Sequence, residues 1–431
     1  MTNEQRKLME TLLRNNLLVS TGCTEPIAIA YAAAVARTYL SGEPEKIALR
    51  ISKNMAKNAM DAGIPNSRFT GAAFVASLGA LYANPDKGFQ LLEGLSESEH
   101  EIANNFAKNH VSIELSKNEK PLYIEVEMTS AGFSRALRDP CCCPGSNVKL
   151  IVSDEHTNIS FIEVDGKIVF EEKSNVSKES LKNSSRADFS MKEVFEYAES
   201  LQDLSLFQKA VDLNMKLSEV GKESDWGLNV GKTKPFNEGN ALSRIISATT
   251  SAIDARMAGA PYPAMACTGS GNQGISTTIP VYQTGKEIGA SMDKILRAIA
   301  VSDLTAIYVK RNLNVLSYLC GAVIASCGAS AGITYLLGGD FKIAEYAVKN
   351  VLASVTGMFC DGAKSTCAIK VLACVTTAVY SAHMAQKENG RINQKVGIAT
   401  ESLINTIKNI SRLENETSQV MDNTIMAIIV K

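Results

Sequence analysis

The strand-forming sequence of this chain is confined to its first half. Between about residues 45 and 175, "KIALRIS", "VSIELS", "LYIEVEMTS", "NVKLIVS" and "NISFIEVDGKIVFEE" alternate apolar and polar positions with the period of a half-buried strand. Asp165-Gly166, between the two halves of the last segment, is a two-residue hairpin signal. From "SRADFSMKEVFEYAESL" onward strand signals largely disappear. Helical segments follow, joined by glycine-rich turns that include "MACTGSGNQGISTTIP" and "CGASAGITYLLGG". The fold class predicted is α+β: a mixed α/β N-terminal domain followed by an all-α C-terminal domain.

Three regions are expected. Residues 1–40 read as two helices broken at "VSTGCTEP", the second being the alanine-rich "PIAIAYAAAVARTYL". Residues 41–190 form the α+β region, with helices predicted in "NAMDAG…TGAAFVASLGALYA" and "LSESEHEIANNFAKN". Residues 191–431 form the helical region, and "EVGKESDWGLNVGKTKPFN" (219–237) reads as a loop between helical blocks. The segments "SGNQGI" and "GASAGI" share an ending that suggests a duplicated turn.

A formal net charge of −1 excludes the electrostatic footprint of a nucleic-acid binder or of a protein drawn to anionic membranes. The N-terminal segment lacks the apolar core of a signal peptide, so a cytoplasmic location is expected. Leu313–Gly339 carries no charge and is long enough to span a bilayer. Its Gly/Ser/Ala-rich second half and its lack of aromatic belts instead suggest a helix at the centre of the helical domain.

In a reducing compartment ten cysteines argue for buried thiols, metal ligands or catalytic thiols rather than disulfides. Cys320, Cys360 and Cys367 all lie among small residues, which let a backbone approach an inorganic cluster closely. Short Cys-x₂₋₄-Cys pairs of a zinc site are missing. Three thiolates in such surroundings suit an iron–sulfur cluster with one open iron; ordinary buried cysteines have the same appearance. Cys327, close to Cys320, competes with it as third ligand. Cys141, Cys142 and Cys143 are consecutive, point in alternating directions and read as incidental.

Other polar groups stand out. In "GCTEP", Cys23 precedes a helix whose N-terminus would stabilise a thiolate, with Thr24 beside it and Pro26 in the first turn. A packed capping turn is the plainer alternative. "CTGSGNQG" exposes backbone N–H groups near Ser270, Gly271 and Asn272, as a nest for a carboxylate or phosphate would, or as a simple turn would. It lacks the lysine of a P-loop. His156, Thr157 and Asn158 open a strand, where a histidine titrates near neutrality or serves structure alone.

As a set, "GCTEPIA", "HTNI", "GSGNQGI", "YLCGA" and "GMFCDGAKSTCA" resemble the L-cysteine desulfidase family, within the superfamily of iron–sulfur L-serine dehydratases. The motifs run in that family's order over nearly the whole chain. The resemblance implies a [4Fe–4S] cluster held in the helical domain by Cys320, Cys360 and Cys367, with no pyridoxal phosphate. It implies Cys23 as the catalytic base. It also implies β-elimination of L-cysteine to sulfide, pyruvate and ammonia, the open iron acting as Lewis acid. Thr24, Glu25, His156, Thr157, Asn158, Ser270, Gly271 and Asn272 are the expected substrate-binding residues. L-serine dehydration on the same cluster is the alternative activity, and a non-catalytic redox or amino-acid sensor is a second alternative. The expected partner is the amino-acid substrate, without nucleic acid or membrane, and a homodimer is compatible with the reading.

Overall fold

The computed structural model describes residues 1–118, 120–130, 145–172, 189–233, 239–313 and 319–429. The Cys141–Cys143 run lies outside them. Two compact units account for the chain. One comprises Met1–Ser20, Lys178–Cys360 and Lys364–Met421, and the other Thr21–Ser177, Asp361–Ala363 and Asp422–Lys431. The chain begins with α1 (Asn3–Asn16) and β1 (Leu18–Ser20), then enters the second unit through α2 (Thr24–Tyr39).

The second unit holds the predicted sheet. Its strands are β2 (Pro44–Ile51), β3 (Val111–Leu115), β4 (Tyr123–Ser130), β5 (Asn147–Ser153), β6 (Ile159–Val164) and β7 (Lys167–Glu171). Their order is β3-β2-β4-β5-β6-β7, with β2 and β3 parallel and every other pair antiparallel. The parallel pair needs a crossover, supplied by α3 (Lys53–Ala59), α4 (Ala72–Leu81) and α5 (Glu97–His110). Asp165 and Gly166 both adopt positive φ, 50° and 77°, as the tight β6–β7 hairpin requires. On α2 the run of alanines favours helix and keeps the surface low. There α4 packs so closely that a Cβ on Gly79 would lie 2.1 Å from the Ala30 carbonyl oxygen.

Helices build the first unit: α6 (Met191–Ser200), α7 (Ser205–Glu223), α8 (Ala241–Met257), α9 (Gly271–Glu287), α10 (Met292–Arg311), α11 (Gly321–Leu336), α12 (Phe341–Val355), α13 (Cys367–Ala385) and α14 (Leu403–Ile429), whose last residues belong to the other unit. One short strand, β8 (Ala264–Ala266), pairs antiparallel with β1. The central element is α11, packed against α9, α10, α12 and α13 and buried from Val323 through Leu336.

Two sequence expectations need correction here. The segment "CGASAGITYLLGG" turns only at its end, residues 337–339: its Gly328 and Gly332 lie inside α11, and so no turn is duplicated from "SGNQGI". A Cβ on Gly328 would come within 2.4 Å of the Ser302 carbonyl oxygen, and one on Gly332 within 2.6 Å of that of Ala298. These glycines serve close approach of α10, not chain reversal. The loop expected from residue 219 begins only at Ser224, because α7 runs through Glu223. The uncharged run forms the buried α11, as expected of a core helix, although residues 314–318 lie outside the described set. Among the described residues one helix, α13, is long and apolar enough to cross a membrane by length and composition, a test that buried core helices also pass.

Candidate active site and its thiol group

Cys320 lies within electrostatic reach of Cys360, Cys374 and Cys367, close to two helix starts of the first unit. Cys320 is the N-cap of α11, and its N–H donates to the Met358 carbonyl at 2.9 Å. Leu319 and Phe359 form an isolated antiparallel bridge, so the chain entering α11 runs beside the chain leading to Cys360. Cys367 is the first residue of α13, and Lys370 Nζ ties that first turn to the Phe359 carbonyl at 3.1 Å. Burial pushes the Cys320 thiol up, and the neighbouring Cys360, Cys374 and Cys367 push it further. Cys327, two turns along α11, is completely buried; burial and then Cys374 raise it, with no contribution from Cys360 or Cys367. Cys374 itself is pushed up to about 12 by burial.

The glycine-rich loop packs against the same helix start. Cys267 and Ser270 exchange backbone hydrogen bonds of 3.1 and 3.0 Å around Thr268 and Gly269, both with positive φ (50° and 79°). That tight turn delivers Ser270 as the N-cap of α9, its hydroxyl accepting from the Gln273 N–H. Arg256, buried at the end of α8, donates from Nη1 to Asn272 Oδ1 at 2.8 Å. Its guanidinium lies over Gly271, where a Cβ would sit 2.3 Å from Nε. Gln273 accepts from the Thr268 hydroxyl at 2.7 Å, while a Cβ on Gly321 would be 2.9 Å from its Nε2. The loop therefore reaches the residue that follows Cys320. From α7, Asn214 clamps the whole arrangement with bonds to Met265, Gly274 and Thr278.

Beneath the loop lies an acid. Asp303, on α10, is completely buried beside the Thr277 hydroxyl and the Cys267 thiol. Burial pushes it up to about 7, with the Thr277 hydroxyl and the Cys267 thiol pulling the other way. Cys267 is raised well above the ordinary thiol range, by burial first and by Asp303 second.

In the second unit, Cys23 is the N-cap of α2 and Gly22 precedes it at φ +93°, with Pro65 so near that a side chain there would be crowded. Pro26 does sit in the first turn. Glu25 accepts from the Thr24 hydroxyl at 3.0 Å and from Asn58 Nδ2, on α3, at 3.1 Å. His156 is placed within electrostatic reach of Glu25. Burial lowers the imidazole and favours its neutral form, against the opposite pull of Glu25 and Glu155. Its Nε2 is shielded from solvent without a hydrogen-bond partner among the described residues, and its ring meets Phe89 edge-on at 6.1 Å. Asn158 is engaged differently: its amide donates to the Ser153 carbonyl and to Glu172, holding the β5–β6 turn. Thr157 lies in that same turn, half-buried.

Residues 87–427 match the family model described as serine dehydratase alpha chain. The chain belongs to this family. That family is the iron–sulfur type of serine dehydratase. Similarity also extends along the entire chain to the UPF0597 proteins of three bacteria. The one from Clostridium perfringens strain SM101 is 37% identical over 99% of this chain and 98% of its own length. That of Parabacteroides distasonis is 35% identical over 97% and 96%, and that of Actinobacillus pleuropneumoniae 31% over 99% and 98%.

The thiol group fits what a serine dehydratase alpha chain of this type would hold. Cys320, Cys360 and Cys367 are outside any disulfide, and Cys360 and Cys367 are half-buried. Two of the three stand at helix N-termini, where the helix dipole favours anionic ligands. Among the described residues no three His, Cys, Asp or Glu side chains converge tightly enough for a single metal ion. A multi-iron cluster takes thiolates farther apart than one ion does. Sequence reasoning missed Arg256, Gln273, Asn214, Asn58 and Asp303. Each is one polar residue on an otherwise ordinary helix, and only its tertiary contacts mark it.

Proposed function

We propose that this chain is a cluster-dependent lyase that eliminates the β-substituent of a small amino acid, with L-cysteine as substrate and sulfide, pyruvate and ammonia as products. The grouping of Cys320 with Cys360 and Cys367, in a chain of the iron–sulfur serine dehydratase family, carries this reading. Cys320, Cys360 and Cys367 would hold a [4Fe–4S] cluster, and Cys327, on which Cys374 acts but Cys360 and Cys367 do not, would not. Such a cluster supplies a Lewis-acidic iron to the β-substituent.

The remaining chemistry belongs to the chain's own residues. Ser270, Gly271 and Asn272 offer the α9 N-terminus to the substrate carboxylate, with Arg256 fixing Asn272. Cys23 is assigned the removal of the α-proton, its thiolate favoured by the α2 N-terminus. Glu25 and a neutral His156 are suited to receive the ammonium group. Thr24 orients Glu25; Thr157 and Asn158 support the turn that carries His156. Loss of the β-substituent then leaves 2-aminoacrylate, which tautomerises and hydrolyses without pyridoxal phosphate. A cytoplasmic setting, which keeps these thiols reduced, is part of the proposal.

The family's own description favours a second reading, dehydration of L-serine by the same residues. Anaerobic reconstitution with iron and sulfide, followed by parallel assays on L-cysteine and L-serine, tests both. Sulfide and pyruvate in equal amounts from L-cysteine support the first reading, and preferential pyruvate release from L-serine the second. Full activity in iron-free protein would sink both.

A further inference from the structure

A cavity of about 600 Å³ opens in the first unit between the C-terminal halves of α12 and α13 and the segment 389–394. None of the motif residues lines it. Among the described residues its only charged lining residue is Arg391, and no acid lines it. Arg391 is held in place twice: Nε donates to the Ala385 carbonyl at 2.8 Å, and the guanidinium lies 5.3 Å from the Tyr346 ring centroid. Those contacts fix the guanidinium plane while leaving its two terminal nitrogens without an acceptor among the described residues. The buried Lys349 ammonium sits on the same ring at 4.2 Å and is hydrogen-bonded to the carbonyls of Ile392 and Glu401, adding a second positive charge behind the wall. Glu345 and Glu401, the carboxyls that act on Lys349, do not line the cavity.

By area the rest of the wall is mainly carbon, and the amides of Asn350, Asn389, Asn393 and Gln394 also line it. The hydroxyls of Ser354, Thr376 and Thr377 all donate to carbonyls of their own helices, so they offer the cavity little beyond carbon and lone pairs. Tyr380 and Met384 stand 58% and 48% exposed, large apolar surfaces with nothing over them. A cavity of this size, with apolar walls and one oriented guanidinium, has the makings of a small-ligand site. A planar fork of N–H donors matches a carboxylate, and the walls match an uncharged body.

We propose that this cavity binds a small carboxylate with an apolar or aromatic body, gripped by the terminal nitrogens of Arg391 and covered by Tyr380 and Met384. The proposal is independent of the thiol group and of the proposed reaction. Benzoate is a suitable probe, titrated calorimetrically into the full-length chain. Saturable one-site binding is expected, weakened at least about tenfold in Arg391→Gln, since a charge-assisted bidentate contact is lost. Because Arg391 also binds the end of α13, a second variant, Ala353→Phe, fills the cavity from α12 without touching Arg391. It should abolish binding while circular dichroism and melting temperature stay unchanged. Unchanged benzoate affinity in either variant would overturn the proposal, as would the absence of saturable binding at millimolar concentration. Inorganic phosphate binding as tightly as benzoate would overturn the part played by the apolar walls.

Discussion

Cys23 and Cys320 are nearly identical by local criteria. Each is the N-cap of an apolar helix, with φ, ψ of −79°, 141° and −64°, 128°, and each is almost fully buried, at 4% and 7% exposure. Neither brings the side-chain oxygen of an ordinary N-cap. Their surroundings part them. Cys320 lies within electrostatic reach of other thiols, Cys360, Cys374 and Cys367, the neighbours on which its proposed role as a cluster ligand rests. The helix headed by Cys23 places Thr24 and Glu25 beside Asn58 and His156, groups suited to an amino acid and its protons. A thiol at a helix start is thus a common starting point, and tertiary neighbours decide what it does.

Serine is a better N-cap than cysteine, so Cys→Ser at either position preserves the helix start and isolates the thiol's chemistry. The largest effect is expected from Cys320→Ser: iron content and activity should both fall to background, with the fold retained by circular dichroism. Cys23→Ser should keep its iron and lose about 10²- to 10⁴-fold in turnover, the range of a lost general base. If serine at position 23 removes iron as well, the division of roles fails.

A smaller effect separates the two environments by pH. Burial lowers His156, favouring its neutral form, whereas Asp303, under the loop that reaches Gly321, is raised from 3.8 to about 7. Between about pH 4 and 7 the unfolded chain has released this carboxyl proton while the folded chain retains it. Folding stability therefore falls as pH rises through that window, by at most about 4 kcal/mol from this group. Asp303→Asn should flatten that slope in urea melts at pH 5 and pH 8. The variant should gain stability mainly at the higher pH.

Packing contributes less. Gly332→Val would push a branched side chain into α10 and should cost about 1–3 kcal/mol. The smallest effect is expected at Cys327, where removing a sulfur from a sealed core should cost about 1 kcal/mol. In Cys327→Ala the iron content should be unchanged, in contrast with Cys320→Ser.

Much of the sheet was legible in the sequence because a strand with one buried face advertises itself in a period of two. The segments 46–51, 111–115, 123–130, 147–153, 159–164 and 167–171 appear as strands, and Asp165-Gly166 as the hairpin between the last two. The three-residue β8 gave no such signal: it is too short for a period, and its partner β1 is distant in sequence. Gly328 and Gly332 misled because glycine marks either a turn or a close helix crossing, and composition does not say which. The thiol group was visible from its small-residue setting and from resemblance. Arg256, Gln273 and Asp303 gain meaning only from long-range contacts with Gly271, Gly321 and Cys267, which no local pattern encodes.

The central claim is that two alike N-cap thiols serve different partners. Iron per chain, measured side by side after anaerobic reconstitution of Cys23→Ser and Cys320→Ser, tests it most directly. The account predicts wild-type iron in the first and almost none in the second. Equal iron in the two variants, whether full or absent, would contradict it.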